Sequence, residues 1–144
     1  MQDDVIGAKL ALFLGDKIVV LQRDDKPGLL WPGFWDLPGG GREGGETPLQ
    51  CVLRETHEEI TLLLDPKVVT WGRPYPTSSG HTSWFFAAWA PEALIDQIVL
   101  GDEGQQWMMW TTQQFLDHEL SVPQFKPRLQ DVLNGVASAE FECP

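Results

Sequence analysis

An α/β fold, with a mixed β-sheet sandwiched between helices in an α/β/α arrangement, is what the order of segments in this 144-residue chain predicts. Three features carry that expectation: aliphatic strand-like runs at the start, a strongly marked helix over residues 48–60, and further strand runs that lead into a second helix. The length suits one domain, taken as residues 1–144, which buries about 70% of the surface its unfolded form exposes. With 42% hydrophobic residues, seven Trp and seven Phe, the chain has the large side chains that such a core needs.

The run VIGAKLALFLG, the turn at Gly15-Asp16 and the run IVVLQR read as a hairpin. Residues 24–35, DDKPGLLWPGFW, hold two Pro and two Gly among aromatics and read as a loop, of a length that is commonly functional in compact domains. The glycine-rich GGGREGGE after Pro38 reads as irregular. A helix then starts with agreeing signals: Thr47 as N-cap, Pro48 at N1, and Gln50 at N3 to complete a capping box. It runs from Pro48 to Ile60, with Leu49, Val52, Leu53, Thr56 and Ile60 at helical spacing, and Pro66 marks the next boundary. KVVTWGRPY and HTSWFFAAWA are strand candidates around the turn-prone 76–80 stretch, and QQWMMWT follows a loop at 101–104. FKPRLQDVLNG reads as a helix stopped by Gly135, with Phe125, Leu129 and Leu133 four apart.

No apolar run approaches the roughly 20 residues that span a membrane, and the start lacks the basic segment of a secretory signal, so a cytoplasmic protein is expected. Cys51 and Cys143 read as two free thiols. A net charge of -11 argues against a nucleic-acid polymer as partner, because such binding relies on Lys and Arg displacing counterions. An acidic protein acts on an anionic small molecule when divalent cations sit between its carboxylates and the substrate's phosphates.

On the helix 48–60, Glu55, Glu58 and Glu59 fall within an arc of about 100°, apart from the apolar arc. Like charges at these spacings repel, and only Arg54 and Arg42 lie near in sequence to offset them. A solvated acidic face is the plain reading. The Gly-Gly turn before the helix, Glu46 at its start and Arg54 beside the first carboxylate favour a site for a hard cation such as Mg²⁺.

Residues 40–62, GGREGGETPLQCVLRETHEEITL, resemble the signature box of the Nudix hydrolases, the MutT-like enzymes among them. The matching positions are Gly40, Glu46, Arg54, Glu55, Thr56, Glu58, Glu59 and Leu62; Thr61 stands where the family has a helix-ending glycine. The resemblance implies the Nudix fold and a metal-dependent pyrophosphohydrolase, using Mg²⁺ with Mn²⁺ as a substitute, that cleaves a phosphoanhydride of a small nucleotide-type substrate. It implies metal ligands at Glu55, Glu58, Glu59 and the Gly39 carbonyl, with Glu46 weaker and Arg54 positioning a carboxylate. Glu55 is the first choice of general base and Glu103, from the glycine-flanked loop GDEGQ, the second; Glu103 is also a candidate ligand. Arg23 resembles a position that reaches a substrate phosphate, against the plain reading of a surface ion pair with Asp24 or Asp25. Trp35, with Trp31 and Phe34, is a candidate to stack a base, against the plain reading that these rings close the core.

The expected substrate is a nucleoside triphosphate, oxidised guanine nucleotides included, cut to monophosphate and pyrophosphate by a monomer or homodimer. ADP-ribose or a nucleotide sugar is the competing substrate class. A non-catalytic Nudix module is the competing function, and it usually loses a box carboxylate that this chain keeps.

Overall fold

The computed structural model describes residues 4–142, so Cys143 lies outside it. Among the described residues seven strands form one mixed sheet. Strand β1 (Val5–Leu14) lies at its centre because almost all of its residues are apolar, which suits a strand covered on both faces. The turn at Gly15, φ 72°, returns the chain as β2 (Lys17–Gln22), the expected hairpin. Two short strands that the sequence reading left irregular follow, β3 (Trp35–Asp36) and β4 (Gly39–Gly41). The glycines of β4 are what let it pair: it lies antiparallel to Gly7–Lys9 of β1, and a Cβ on Gly7 would stand 2.6 Å from the Gly40 oxygen.

Helix α1 (Pro48–Ile60) has the expected bounds, and the full capping box of Thr47 and Gln50 is present. A single 3₁₀ turn at Pro66–Val68 takes the start of the expected strand, which begins as β5 at Val69 and ends at Pro76. Strands β6 (Thr82–Ala90) and β7 (Gln106–Trp110) lie where the sequence places them. Strand β6 pairs parallel with β1 along almost its full length and antiparallel with β5, while β7 pairs with β2. Helices α2 (Thr112–Asp117) and α3 (Phe125–Leu133) close the chain.

Alternation along β1 assigns the two faces. Leu10, Leu12 and Leu14 pack under α1 with Leu49, Val52 and Ile60. Ala11 and Phe13 face the other way, into a core with Trp35, Trp110, Phe115, Phe125 and Leu129 under α2 and α3. Helices therefore cover both faces, as the α/β/α expectation requires. Leu133, expected on the buried stripe of α3, is 43% exposed, and Arg128 takes a buried place instead. No helix among the described residues is long and apolar enough to cross a membrane.

Candidate active site

The capping box fixes where α1 starts, and burial of its apolar face fixes its rotation. Leu49, Val52, Thr56 and Ile60 face the sheet, and Glu55, Glu58 and Glu59 line a cavity of about 370 Å³ together with Asp102 and Glu103. Two local features bring the 101–104 loop to the helix. The amides of Val99 and Gly101 donate to the carbonyls of Ile60 and Glu59 at 3.1 and 2.8 Å. A Cβ on Gly101 would stand 2.3 Å from the Glu58 carbonyl oxygen, so glycine permits the approach.

Thr61, the departure from the usual box glycine, still adopts the left-handed cap conformation at φ 67°. Its hydroxyl donates to the Val99 carbonyl at 2.8 Å, a tether that glycine lacks. The strain of a left-handed β-branched residue is offset by a bond that holds the acidic loop.

Arg54 organises the acids. It binds both oxygens of Glu46, at 2.8 and 3.0 Å, and reaches Glu55 at 3.1 Å, Glu58 at 3.2 Å and the Gly41 carbonyl at 2.9 Å. The paired guanidinium holds the Glu46 carboxyl down at about 2, and Arg54 itself is held above its ordinary value by the same bonds. Glu46 is thus an anchor for Arg54. Burial pushes the Glu59 carboxyl up to about 7, against the opposing pull of Lys9 and the Gly39 amide. Burial also raises Glu55, whose contact with Arg54 opposes the shift. A carboxylate raised towards neutrality is suited to accept a proton.

Cys51 is buried and unbridged beneath these acids, and burial pushes its thiol up to about 12, which leaves it inert.

The backbone before α1 belongs to the same assembly. The Gly39 amide donates to Glu59 Oε1 at 2.8 Å, and a Cβ on Gly40 would lie 2.6 Å from the Glu55 carboxyl carbon. The Gly39 carbonyl accepts from Lys9 Nζ at 2.9 Å. Lys9 also bonds Asp36 Oδ2 at 3.0 Å, and Arg23 reaches the same oxygen at 2.9 Å. The second Asp36 oxygen accepts from the Leu37 amide at 2.7 Å. Lys9 and Asp36 escaped the sequence reading, although a lone lysine in the apolar run VIGAKLALFL signals a charge with a buried partner.

Arg23 was expected at a phosphate or paired with Asp24 or Asp25. Its ion pair is with Asp36, and it lines a small cavity beside Glu59 and Glu103. Glu103, exposed at the rim, lines both this cavity and the one with the box glutamates. Trp35 requires correction as a stacking residue. It is 7% exposed, lies 4.6 Å from the Trp110 ring centroid and belongs to the core. Its place in β3 turns the ring inwards, whereas Trp31 of the same loop lines a wide cleft of about 740 Å³ with Lys9, Gly40, Phe125 and Arg128.

The donor set fits a divalent cation. Hard carboxylate oxygens from a helix and a loop line one cavity, and the arginine among them is already shared by four glutamates. Among the described residues no three His, Cys, Asp or Glu donors converge on one point; Glu55 and Glu58 are engaged by Arg54 Nη1, and Glu59 by the Gly39 amide. An ion would draw them off these partners.

The sequence profile of the NUDIX domain matches residues 6–130. An RNA pyrophosphohydrolase of Gluconacetobacter diazotrophicus is 31% identical over 120 residues, covering 81% of this chain and 65% of that protein. An 8-oxo-dGTP diphosphatase of Proteus vulgaris is 61% identical over 28 residues, covering 19% of this chain and 25% of that protein. The chain thus spans less than two thirds of these curated relatives' length. The crystal structure of a MutT protein from Methanosarcina mazei Go1 matches with a TM-score of 0.71 at 18% identity, over 93% of this chain and 98% of that one. With the profile covering most of its length and the fold shared, the chain belongs to the Nudix family.

Proposed function

We propose that this chain is a divalent-metal-dependent pyrophosphohydrolase that cuts a nucleoside triphosphate to its monophosphate and pyrophosphate. The observation that carries the reading is one cavity lined by Glu55, Glu58, Glu59 and Glu103, beside a wide, partly apolar cleft. Mg²⁺, with Mn²⁺ as a substitute, would be held by these carboxylates and the Gly39 carbonyl, which keeps a second lone pair beside its bond from Lys9. When bound, the ion lowers the pKa of a water and neutralises phosphate charge. Glu55 would accept the proton of the attacking water, with Glu103 as the alternative base, and Arg54 would keep the acids in place. Arg23 has donors beyond those on Asp36 and the Leu30 carbonyl, and they are offered to a phosphate.

The second relative is named for a nucleoside triphosphate, which supports this substrate class. The first is named for RNA; the net charge of -11 favours free nucleotides over a polymer. The test is phosphate and pyrophosphate release from GTP, ATP, 8-oxo-dGTP, ADP-ribose, a nucleotide sugar and a 5′-triphosphorylated RNA, with Mg²⁺ and with Mn²⁺. Pyrophosphate from the free triphosphates is expected. Preferred cleavage of ADP-ribose, the sugar nucleotide or the RNA overturns the substrate, and no release from any of them overturns the activity.

Two further results are expected. Glu103→Gln lowers turnover while substrate affinity stays within a fewfold, since its charge matters most as the transition state forms. Unchanged turnover would leave Glu55 as the base and Glu103 as a surface acid.

Metal should raise the melting temperature, on the order of 5 °C at saturating concentration, and chelator should reverse it. The pH dependence follows from Glu59. Its folded value, about 7, lies above the ordinary 4.5, so the folded state holds the proton more tightly than the unfolded state. The resulting stability is complete below about 4.5 and is lost as pH rises through 7. In chelator the melting temperature should therefore fall across that window, and the gain on adding Mg²⁺ should be larger at pH 8 than at pH 6. An equal gain at both would show that Glu59 does not face the ion.

A further inference from the structure

Arg128 on α3 is 8% exposed, yet no carboxylate among the described residues pairs with it. Its one hydrogen bond is a long one, from Nη2 to the Pro76 carbonyl at 3.5 Å. Its faces are covered by Tyr75, at 4.9 Å, and Phe125, at 5.8 Å. Asp131, one turn further along the helix, accepts from the Tyr75 hydroxyl at 2.8 Å. A guanidinium has five in-plane N–H donors, and burying them unused is costly. Among the described residues no fully buried side-chain nitrogen or oxygen lacks a partner, so the unused nitrogens of Arg128 reach the wide cleft that it lines.

That cleft, about 740 Å³, is of the size that holds a nucleotide-sized ligand. Gly40, which also lines it, stands against Glu55 of the acidic cavity. Ala8, Leu30, Trp31 and Phe125 give it apolar walls. A flat heterocycle gains from such walls and a phosphate does not, so the phosphates belong towards Gly40 and the base belongs with Arg128.

We propose that Arg128 reads the two-acceptor edge of an intact guanine base, O6 and N7, held in this cleft. The proposal rests on the nucleoside triphosphate reading above. Guanine presents two acceptors that match the arginine fork, whereas adenine presents N7 and an N6 amino group, so one donor meets another. Guanine oxidised at C8 carries a hydrogen on N7 and loses the same match. Intact guanine is therefore preferred to both.

The test is calorimetric titration of the full chain in chelator with GMP, AMP and 8-oxo-GMP, a readout that needs neither metal nor turnover. GMP should bind about tenfold or more tighter than either competitor. Arg128→Gln should bring the GMP-to-AMP affinity ratio to one or below, because a carboxamide matches N6 and N7 of adenine. Arg128→Lys, which keeps the charge and loses the fork, should lie between. Melting curves on each variant show that it is folded, and should Arg128→Gln not fold, Arg128→Lys alone carries the comparison. Equal affinities for GMP and AMP in the unmodified chain, tighter binding of 8-oxo-GMP, no binding of any of the three, or a ratio unmoved in the folded variants overturns the proposal. Guanine-selective binding without triphosphate cleavage would keep this role and reject the hydrolase reading; cleavage indifferent to the base would do the reverse.

Discussion

Glu59→Gln is expected to lower turnover at least about a hundredfold while leaving the fold intact, the scale of losing one strong electrostatic contribution to the transition state. The reason lies in what the substitution keeps. A glutamine oxygen still accepts the Gly39 amide, now bonded at 2.8 Å, so the backbone ahead of α1 stays in place. The negative charge, which burial makes expensive and which a cation would repay, is removed. Glu58→Gln should act in the same direction, since Glu58 lines the same cavity and its link to the protein is the exposed contact with Arg54. Steady-state turnover with Mg²⁺, checked against circular dichroism of each variant, decides it. Near-normal turnover in the folded double variant would reject the metal cluster.

Gly39→Ala is expected to cost several kcal/mol of stability, roughly 3 or more, and to abolish turnover with it. Gly39 has φ 132°, where a side chain is strained, and a Cβ there would stand 2.1 Å from the Ala8 oxygen and 2.7 Å from the Lys9 Cα. Both obstacles are backbone of the central strand, so relief requires β4 to leave β1. That movement would break the pairing of Lys9 with Gly39, the bond to Glu59 and the bond from Lys9 together. Gly44 is the control: its φ is 53° and a Cβ there meets nothing within 4 Å, so Gly44→Ala should cost about 1 kcal/mol. Chemical denaturation of the two variants side by side tests the contrast, and equal midpoints would show that β4 does not pack as described.

The acidic box was legible because its residues are contiguous and helical spacing converts sequence into geometry. The start of α1 was legible for the same reason, down to the bond between Thr47 and Gln50. Long-range partners were not. Lys9, Arg23 and Asp36 meet only because β1, β2 and β3 are neighbours in the sheet, and β3 is two residues long, too short for any periodic signal. Trp35 reads like its loop neighbours Trp31 and Phe34, and only its place in β3 separates a core ring from one at the cleft. Helix α2 was missed although Thr111 and Gln114 form a capping box like that of α1, a signal within reach. Glu103 was reached through its flanking glycines, but the reason it arrives at the box, Gly101 against the Glu58 carbonyl and the Thr61 tether, is tertiary. Arg128 lies three residues after Phe125, within the apolar spacing of α3, and a cation at such a position is a signal that the sequence itself carries.

The parallel pairing of β1 with β6 sets the order in which the molecule can assemble. Gly7 and Ser83, joined by a side-chain bond, are 76 residues apart, and the acidic helix lies wholly between them. Closing a loop of that size costs on the order of 4 kcal/mol of chain entropy before the pairing returns anything. During synthesis the box therefore leaves the ribosome well ahead of the strand that completes the sheet beneath it. A nascent chain that stops short of Thr82 carries every box glutamate and has no partner for that edge of β1, so the acidic helix is synthesised before the sheet it packs on can be completed.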